Sequence, residues 1–390
     1  MKRLVLVGAG HAHAEVLRVW AGAPLAGVEL VLVSPHALAP YSGMVPGWLS
    51  GAYRFEEMAM DFAGLCSAAG ARWVAGELDA VDAHRQQMRL TTGETLDWDL
   101  LSLNVGSTLN PPAAHPARAT RMLSMRPLAA LRLHYDALLA QWMKHDASQP
   151  FTVTAVGGGA AGFESLLAVL ARLRALRPEC TVHGGLVTRG TTLLPGLASA
   201  ARRAALQALT RAGVTLQLGT PWCNTIARSS DLVLWATGAE AHAWQRDPMR
   251  RGALAVSDRG FIRIDAQLRS VSHANVFAVG DCAEWLTPLP KAGVHAVRMG
   301  PVLSHNLRAA LGEGTAQNHR APHRFLALLS TADGRAIASR GGLGGQGRWA
   351  WRWKDHIDRA FVKRYALRPL GPDAVGTPTS LSSSPSGDSA

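Results

Sequence analysis

Residues 1–15 read MKRLVLVGAGHAHAE, and this stretch decides the fold. An apolar run, Leu4–Val7, leads into Gly8-x-Gly10 and then into a segment free of breakers. That is strand, tight glycine turn and helix, the entry to a dinucleotide-binding unit. The first glycine allows the reversal and the second lets a pyrophosphate approach the backbone. Free N–H groups at the helix start then hold the phosphates. The third glycine position, which serves close helix–strand packing, is taken by His13. The opening resembles a signal peptide only superficially. Its apolar run is too short, and His11, His13, Glu15 and Arg18 follow at once, so a first β-strand is the better reading.

The pattern returns in FTVTAVGGGAAGFE, residues 151–164, and there it is complete. A strand over Phe151–Val156 precedes Gly157-x-Gly159-x-x-Gly162, and the helical run ESLLAVLARLRAL follows. One such turn is a weak signal. Two, each set between strand and helix, predict two Rossmann-type units and two bound dinucleotides. The second strand of each unit ends at Ser34 (GVELVLVS) and at Thr188 (TVHGGLVT). An acidic residue commonly stands there to bind the adenosine ribose hydroxyls, and neither unit has one. Ser34 can still exchange a hydrogen bond with a hydroxyl. Thr188 is followed by Arg189, a pair that tolerates a 2′-phosphate better than a carboxylate would, so NADPH is at least as plausible as NADH. Two further strands end in glycine turns at Gly106 and Gly238, and NVFAVG ends at Gly280 before Asp281. The segment PLPKAGVHAVRMGPVLSHNLRAAL reads as a loop and then a helix that Pro301 kinks or bounds.

A length of 390 residues is enough for two ordinary domains. Forty basic and 28 acidic residues leave a net charge of +12, which suits nucleic acid, an anionic membrane surface or a phosphorylated ligand. Nucleic acid fits least. No helix-turn-helix or aromatic–basic platform is evident, and the phosphates of two dinucleotides already use cationic sites. Cys66, Cys180, Cys223 and Cys282 lie far apart, with no CxxC or CxxxxC, so neither a zinc knuckle nor a redox dithiol is encoded. Reduced, mostly buried thiols in a cytoplasmic protein are expected. No apolar stretch is long enough to predict a spanning helix.

Residues 348–368, RWAWRWKDHIDRAFVKRYALR, differ in character. Trp349, Trp353, Ile357, Ala360, Phe361 and Tyr365 are spaced for one helical face, among seven basic and two acidic residues. Some of these aromatics are expected to pack inward while the cationic rim meets anionic lipid, as in an interfacial helix. The small, polar, Pro/Ser-rich tail over 371–390 is expected to be disordered.

In this order the pieces resemble the pyridine nucleotide–disulfide oxidoreductase superfamily, and within it type II NADH dehydrogenases and sulfide:quinone oxidoreductases. GAGHAHAEVL, SPHALAPYSGMVPGWLSG, PKAGVHAVRMGPVL, LALLSTADGRAIASRGGL and WRWKDHIDRAFVKRY resemble most the flavoprotein domain that some chains carry fused to selenophosphate synthetase. The resemblance covers roughly residues 1–368. It implies an α/β fold of two Rossmann-like dinucleotide-binding domains in three layers, with a C-terminal amphipathic helix region. The FAD-binding domain would be 1–112 with 251–322, the NAD(P)H-binding domain 113–250, and the flavin-capping or membrane-interface region 323–370. The cofactors implied are FAD and NAD(P)H.

The resemblance also assigns residues. Gly8, Gly10 and the helix from His11 would hold the FAD pyrophosphate. His13 there costs helix–strand spacing rather than phosphate binding. Asp281 would bond a ribityl hydroxyl. Lys291 and the turn at Gly293 would set an ammonium and a helix N-terminus against the negative charge of reduced flavin. Glu164 would border the nicotinamide channel. Tyr41, Ser42, Gly43 and Met44 lie where disulfide reductases carry CxxxxC, so they are expected to border the flavin without relaying electrons. His11, His13 and His36 are expected to pack or to contact flavin, not to bind a metal. Cys282 is expected to be a buried structural thiol.

The implied activity is hydride transfer from NAD(P)H to FAD and electron transfer on to a quinone or similar acceptor, in the cytoplasm or peripherally on the inner membrane face. A sulfide- or selenium-species flavoprotein is the first alternative, and a flavin-based redox-sensing binding protein the second. The sequence leaves open whether the chain acts alone or as a homodimer.

Overall fold

The computed structural model describes residues 1–111, 121–285, 287, 289–321 and 325–366. The tail expected to be disordered lies outside the described residues, as does the expected domain boundary after residue 112. The elements that build the site run as β1 (Lys2–Val7), α1 (His11–Gly22), β2 (Val28–Ser34), α2 (Val45–Ser50), β3 (Arg72–Ala75) and β4 (Leu100–Leu103). There follow β5 (Arg121–Ser124), α3 (Leu128–Trp142), β6 (Phe151–Val156), α4 (Ala160–Leu176) and β7 (Val182–Val187). Next come α5 (Ser199–Arg211), β8 (Val214–Gln217), β9 (Leu232–Trp235), β10 (Val276–Ala278) and α6 (Gly293–Ala310). The chain closes with β11 (Leu326–Ser330), β12 (Ala336–Arg340), β13 (Leu343–Gly347) and α7 (Arg348–Tyr365).

Two five-stranded sheets have the orders β10-β4-β1-β2-β3 and β5-β9-β6-β7-β8. All neighbours are parallel, with Val5 opposite Val31 and Leu101 in the first sheet, and Ala155 opposite Leu186 and Leu234 in the second. Parallel strands covered by helices read as unbroken apolar runs, which is why KRLVLV, VELVLVS and FTVTAV form them. In each sheet the strand after the glycine turn lies to one side of the turn-bearing strand and the returning strand to the other. A crevice therefore opens at the carboxyl ends of β1 and β4, and again at β6 and β9.

The core is two apolar clusters. Leu4–Val7, Leu32, Leu101 and Phe277 belong to the first, and Val153, Phe163, Leu186 and Leu234 to the second. Met44, expected to border the flavin with Tyr41, Ser42 and Gly43, is instead buried with Val45, Trp48 and Leu49 in the second cluster, because its unbranched apolar side chain fills core space there. The segment that carries a dithiol in disulfide reductases is here an apolar wedge between the two units. The antiparallel sheet β11-β12-β13 packs beside α4 and α5, and α7 crosses it.

Of the two expectations for Pro301, a kink or a boundary, the boundary is overturned. Pro301 neither ends nor bounds α6, which runs through it from Gly293 to Ala310. The carbonyl that loses its donor is that of Val297, a residue that is half-buried. Cys66, Cys180 and Cys282 are buried free thiols and Cys223 is exposed.

Candidate active site

At the first turn, Gly8 has a φ of 97° and sits under the Asn104 carbonyl, 2.5 Å from where a Cβ would lie. Only glycine fits both the backbone and the space. Asn104, at the end of β4, then ties the turn together. Its Oδ1 accepts from the Ala12 N–H at 3.2 Å, and its Nδ2 donates to the Val279 carbonyl at 3.0 Å. The N-terminus of α1 carries no side-chain cap, so its remaining first-turn donors face the cleft. His13 points the other way. Its Nδ1 bonds the Gly8 carbonyl at 2.7 Å and its Nε2 bonds Ser102 Oγ at 2.9 Å. A carbonyl only accepts, so the proton is on Nδ1. His13 is thus a staple beneath the turn and not a cleft residue. Burial lowers its pKa to about 4, so it stays neutral.

The second turn keeps its third glycine for a plain reason. A Cβ on Gly162 would lie 2.0 Å from the Gly157 carbonyl. The N-terminus of α4 is likewise uncapped by side chains.

Both turns open into one continuous cleft of about 2050 Å³. Gly8, Gly10, His11, Ser34, Tyr41, Ser42, Gly43, Gly106, Gly157, Gly159, Glu164, Thr188, Arg189, Gly238, Asp281, Lys291 and Gly293 all line it. His13, Gly162 and Gly280 lie behind its walls, where they shape the turns. Ser34 has already given its hydroxyl proton to the His36 carbonyl, at 3.0 Å. Asp281 pairs with the guanidinium of Arg126, which also bonds Ser107 Oγ. Lys291 lies on the wall as well. It donates to the Ala283 carbonyl and sits 3.7 Å over the Phe261 ring. Cys282 is buried off the cleft, where burial pushes its thiol up to about 11.

Between the turns lies a cluster of buried polar groups. Lys354 Nζ bonds Asp358 Oδ2 at 2.6 Å and the Gly43 carbonyl at 2.6 Å. The Tyr41 phenol lies near Asp358, and burial together with that negative charge pushes its pKa up. The Tyr41 ring stacks on Phe361 at 4.3 Å, and His11 meets its edge at 5.4 Å. Glu164 accepts the Ser330 N–H at 2.7 Å. Burial raises the Glu164 carboxyl to about 7, against the pull of nearby Lys354. Burial raises Asp358 too, again opposed by Lys354. Burial lowers His11 to about 4, with Asp281 opposing, and leaves its Nε2 buried without a partner.

Two open helix N-termini, an orphaned imidazole nitrogen and a backbone that only glycine permits fit two dinucleotides lying end to end. The class is therefore a two-dinucleotide oxidoreductase fold. A family profile described as pyridine nucleotide-disulphide oxidoreductase matches residues 2–300, and the chain belongs to that family. FAD and NAD(P)H are the cofactors of that family.

Human ferroptosis suppressor protein 1 is 26% identical over 245 residues, 57% of this chain and 60% of that protein. A NADH dehydrogenase-like protein of Mycobacterium tuberculosis is 28% identical over 232 residues, 55% of this chain and 56% of that protein. The matched stretch is thus under two thirds of either relative. The sulfide:quinone oxidoreductase of Aquifex aeolicus superposes with a TM-score of 0.73 at 13% identity, over 98% of this chain and 100% of that one. NDH2 of Plasmodium falciparum, solved with NADH, gives 0.71 at 12% identity, over 94% and 99%.

Asn104, Arg126, Lys354 and Asp358 were not singled out by sequence reasoning. Each acts on a partner distant in the chain, as Arg126 does on Asp281, 155 residues away. Only the short interval between Lys354 and Asp358, one helical turn, is a signal visible in sequence.

Proposed function

We propose that the protein moves hydride from NAD(P)H to FAD and passes the electrons to a quinone. The observation that carries this is the single cleft onto which both glycine turns open. FAD would lie at the Gly8 end and the nicotinamide dinucleotide at the Gly157 end. The domain assignment 1–112 with 251–322, and 113–250, goes with this reading. It is supported by the return of β10 to the edge of the first sheet beside β4.

Bound flavin would supply the two-electron chemistry. The chain's own residues position and adjust it. The uncapped start of α6 at Gly293 offers N–H groups to developing negative charge, and a Cβ on Gly293 would lie 2.8 Å from Ser42 Oγ. Tyr41 is held flat by stacking on Phe361, with His11 at its edge, so it forms a fixed wall. Quinone reduction takes up one proton beyond the hydride. Glu164, poised near 7, can hold and release such a proton beside the Lys354–Asp358 pair. Arg126 is placed to meet a phosphate or ribityl oxygen once a ligand competes for Asp281.

A lipophilic acceptor is supported by Leu128, Leu326, Leu328, Ile357 and Phe361 on the cleft wall. Attachment to a membrane surface belongs to the same reading. Trp349, Trp353 and Ile357 are 53%, 43% and 37% exposed on α7, among its basic residues. Among the described residues no helix is long and apolar enough to cross a membrane. No cysteine lines the cleft among the described residues, which disfavours the sulfide-oxidising alternative.

The test is reoxidation. Protein loaded with FAD and reduced by NAD(P)H without oxygen should regain its flavin absorbance when a soluble quinone is added. Failure of quinone to reoxidise it, while oxygen does, would remove the acceptor half of the proposal.

A further inference from the structure

We infer that the protein selects NADPH over NADH, and that Arg189 makes the selection by pairing with the 2′-phosphate. This rests on the reading that a nicotinamide dinucleotide occupies the Gly157 end of the cleft.

β7 leads into Thr188, Arg189 and Gly190, all on the cleft wall. At this point a carboxylate would grip the ribose hydroxyls and repel a phosphate. Here a hydroxyl and a guanidinium stand instead. The loop is already built. Thr220 N–H donates to the Thr188 carbonyl at 2.9 Å, and Gly219 N–H to the Gly190 carbonyl at 3.0 Å. Gly190 N–H bonds Thr188 Oγ1 at 3.2 Å. Little main chain needs ordering when a ligand arrives, so the binding free energy is not spent on the loop.

Arg189 is exposed and makes no ion pair or hydrogen bond among the described residues. Of the other cations on the wall, Arg126 is committed to Asp281, Lys291 to the Ala283 carbonyl and Lys354 to Asp358, while Arg298 belongs to α6, which starts at the flavin-side turn Gly293 and not at the β7 end. The carboxylates that line the cleft among the described residues are Glu77, Glu164, Glu240, Asp281 and Asp358. Four are bonded elsewhere: Glu164 to Ser330, Glu240 to Asn110, Asp281 to Arg126 and Asp358 to Lys354. Glu77 follows β3 in the first unit. None comes from the β7–β8 side. A 2′-phosphate, close to a dianion, therefore meets an uncommitted guanidinium fork and no opposing charge. A bare 2′-hydroxyl finds no carboxylate to accept its proton. Trp222 lines the same end, edge-on to Trp235 at 5.8 Å, and is placed to report on an adenine there.

The test uses FAD-loaded protein and two ligands that carry no nicotinamide, ADP-ribose and its 2′-phosphate, titrated by calorimetry and by tryptophan fluorescence. The 2′-phosphate ligand should bind at least about tenfold tighter, and NADPH should reduce the flavin faster than NADH by a similar factor. Arg189→Gln should bring both ratios close to one, and Arg189→Lys should keep part of each, since it retains charge but not the fork. Equal binding by the wild-type protein, or a preference that survives in Arg189→Gln, overturns the inference while leaving NAD(P)H oxidation standing. If neither ligand binds and neither coenzyme bleaches the flavin, the underlying reading falls with it.

Discussion

His13 donates from Nδ1 to the Gly8 carbonyl and accepts at Nε2 from Ser102, so it fastens α1 to β4 through the turn. A glycine there would leave both partners buried and unpaired beside a cavity. We expect His13→Gly to lose about 2–4 kcal/mol in denaturant unfolding, although it restores the commoner residue. The pH dependence has a definite sign. A histidine whose folded pKa is depressed from 6.5 to about 4 favours unfolding as pH falls through that window. The wild-type advantage over His13→Gly should therefore shrink below pH 6.5. Glu164 runs the opposite way. Its folded pKa is raised from 4.5 to about 7, so its contribution is full below 4.5 and is lost as pH rises towards 7. Glu164→Gln should be more stable than wild type by about 3 kcal/mol at alkaline pH, and equal to it in acid. The same variant should slow acceptor reduction and remove a titration near 7 from the pH–rate profile.

At the scale of elements, the strand–turn–helix units were legible because each depends on local rules. An apolar run, a glycine that must reverse the chain and an uncapped helix start are all written within about fifteen residues. β1, α1, β2 and β6 fall where the sequence places them. On α7 the expected split of the aromatics is seen, with Tyr365 buried and Phe361 half-buried, but the burial of a charged pair was not foreseen. Of the stripe, Trp349, Trp353, Ile357 and Ala360 are exposed and Tyr365 is buried, and Ala350, Lys354 and Asp358 are buried beside it. Lys354 and Asp358 tolerate burial because each satisfies the other, and the Gly43 carbonyl takes a further bond from Lys354. Such a pair cannot be recognised until the partner segments are in place. The outward stripe makes its own prediction. Trp349→Gln with Trp353→Gln should lower co-sedimentation with anionic lipid vesicles at least severalfold while leaving the melting temperature nearly unchanged. Binding unaltered by the double change would mean that α7 does not lie on lipid.

For the whole molecule, the sequence made the pairing of two units readable but not the way they meet. The wedge of Met44, Val45, Trp48 and Leu49, the Arg126–Asp281 pair across the cleft and the α7 lid over Tyr41 all join segments distant in the chain. They turn two separate crevices into one. Because flavin would bind the folded chain alone, added FAD should raise the melting temperature in a concentration-dependent way. The central claim, that one cleft holds both dinucleotides so that the second reduces the first, is tested most directly by anaerobic titration of FAD-loaded protein with NADPH and NADH. The account predicts a saturable, stoichiometric loss of the visible flavin absorbance. Flavin that binds firmly but stays oxidised with both coenzymes in excess would contradict it.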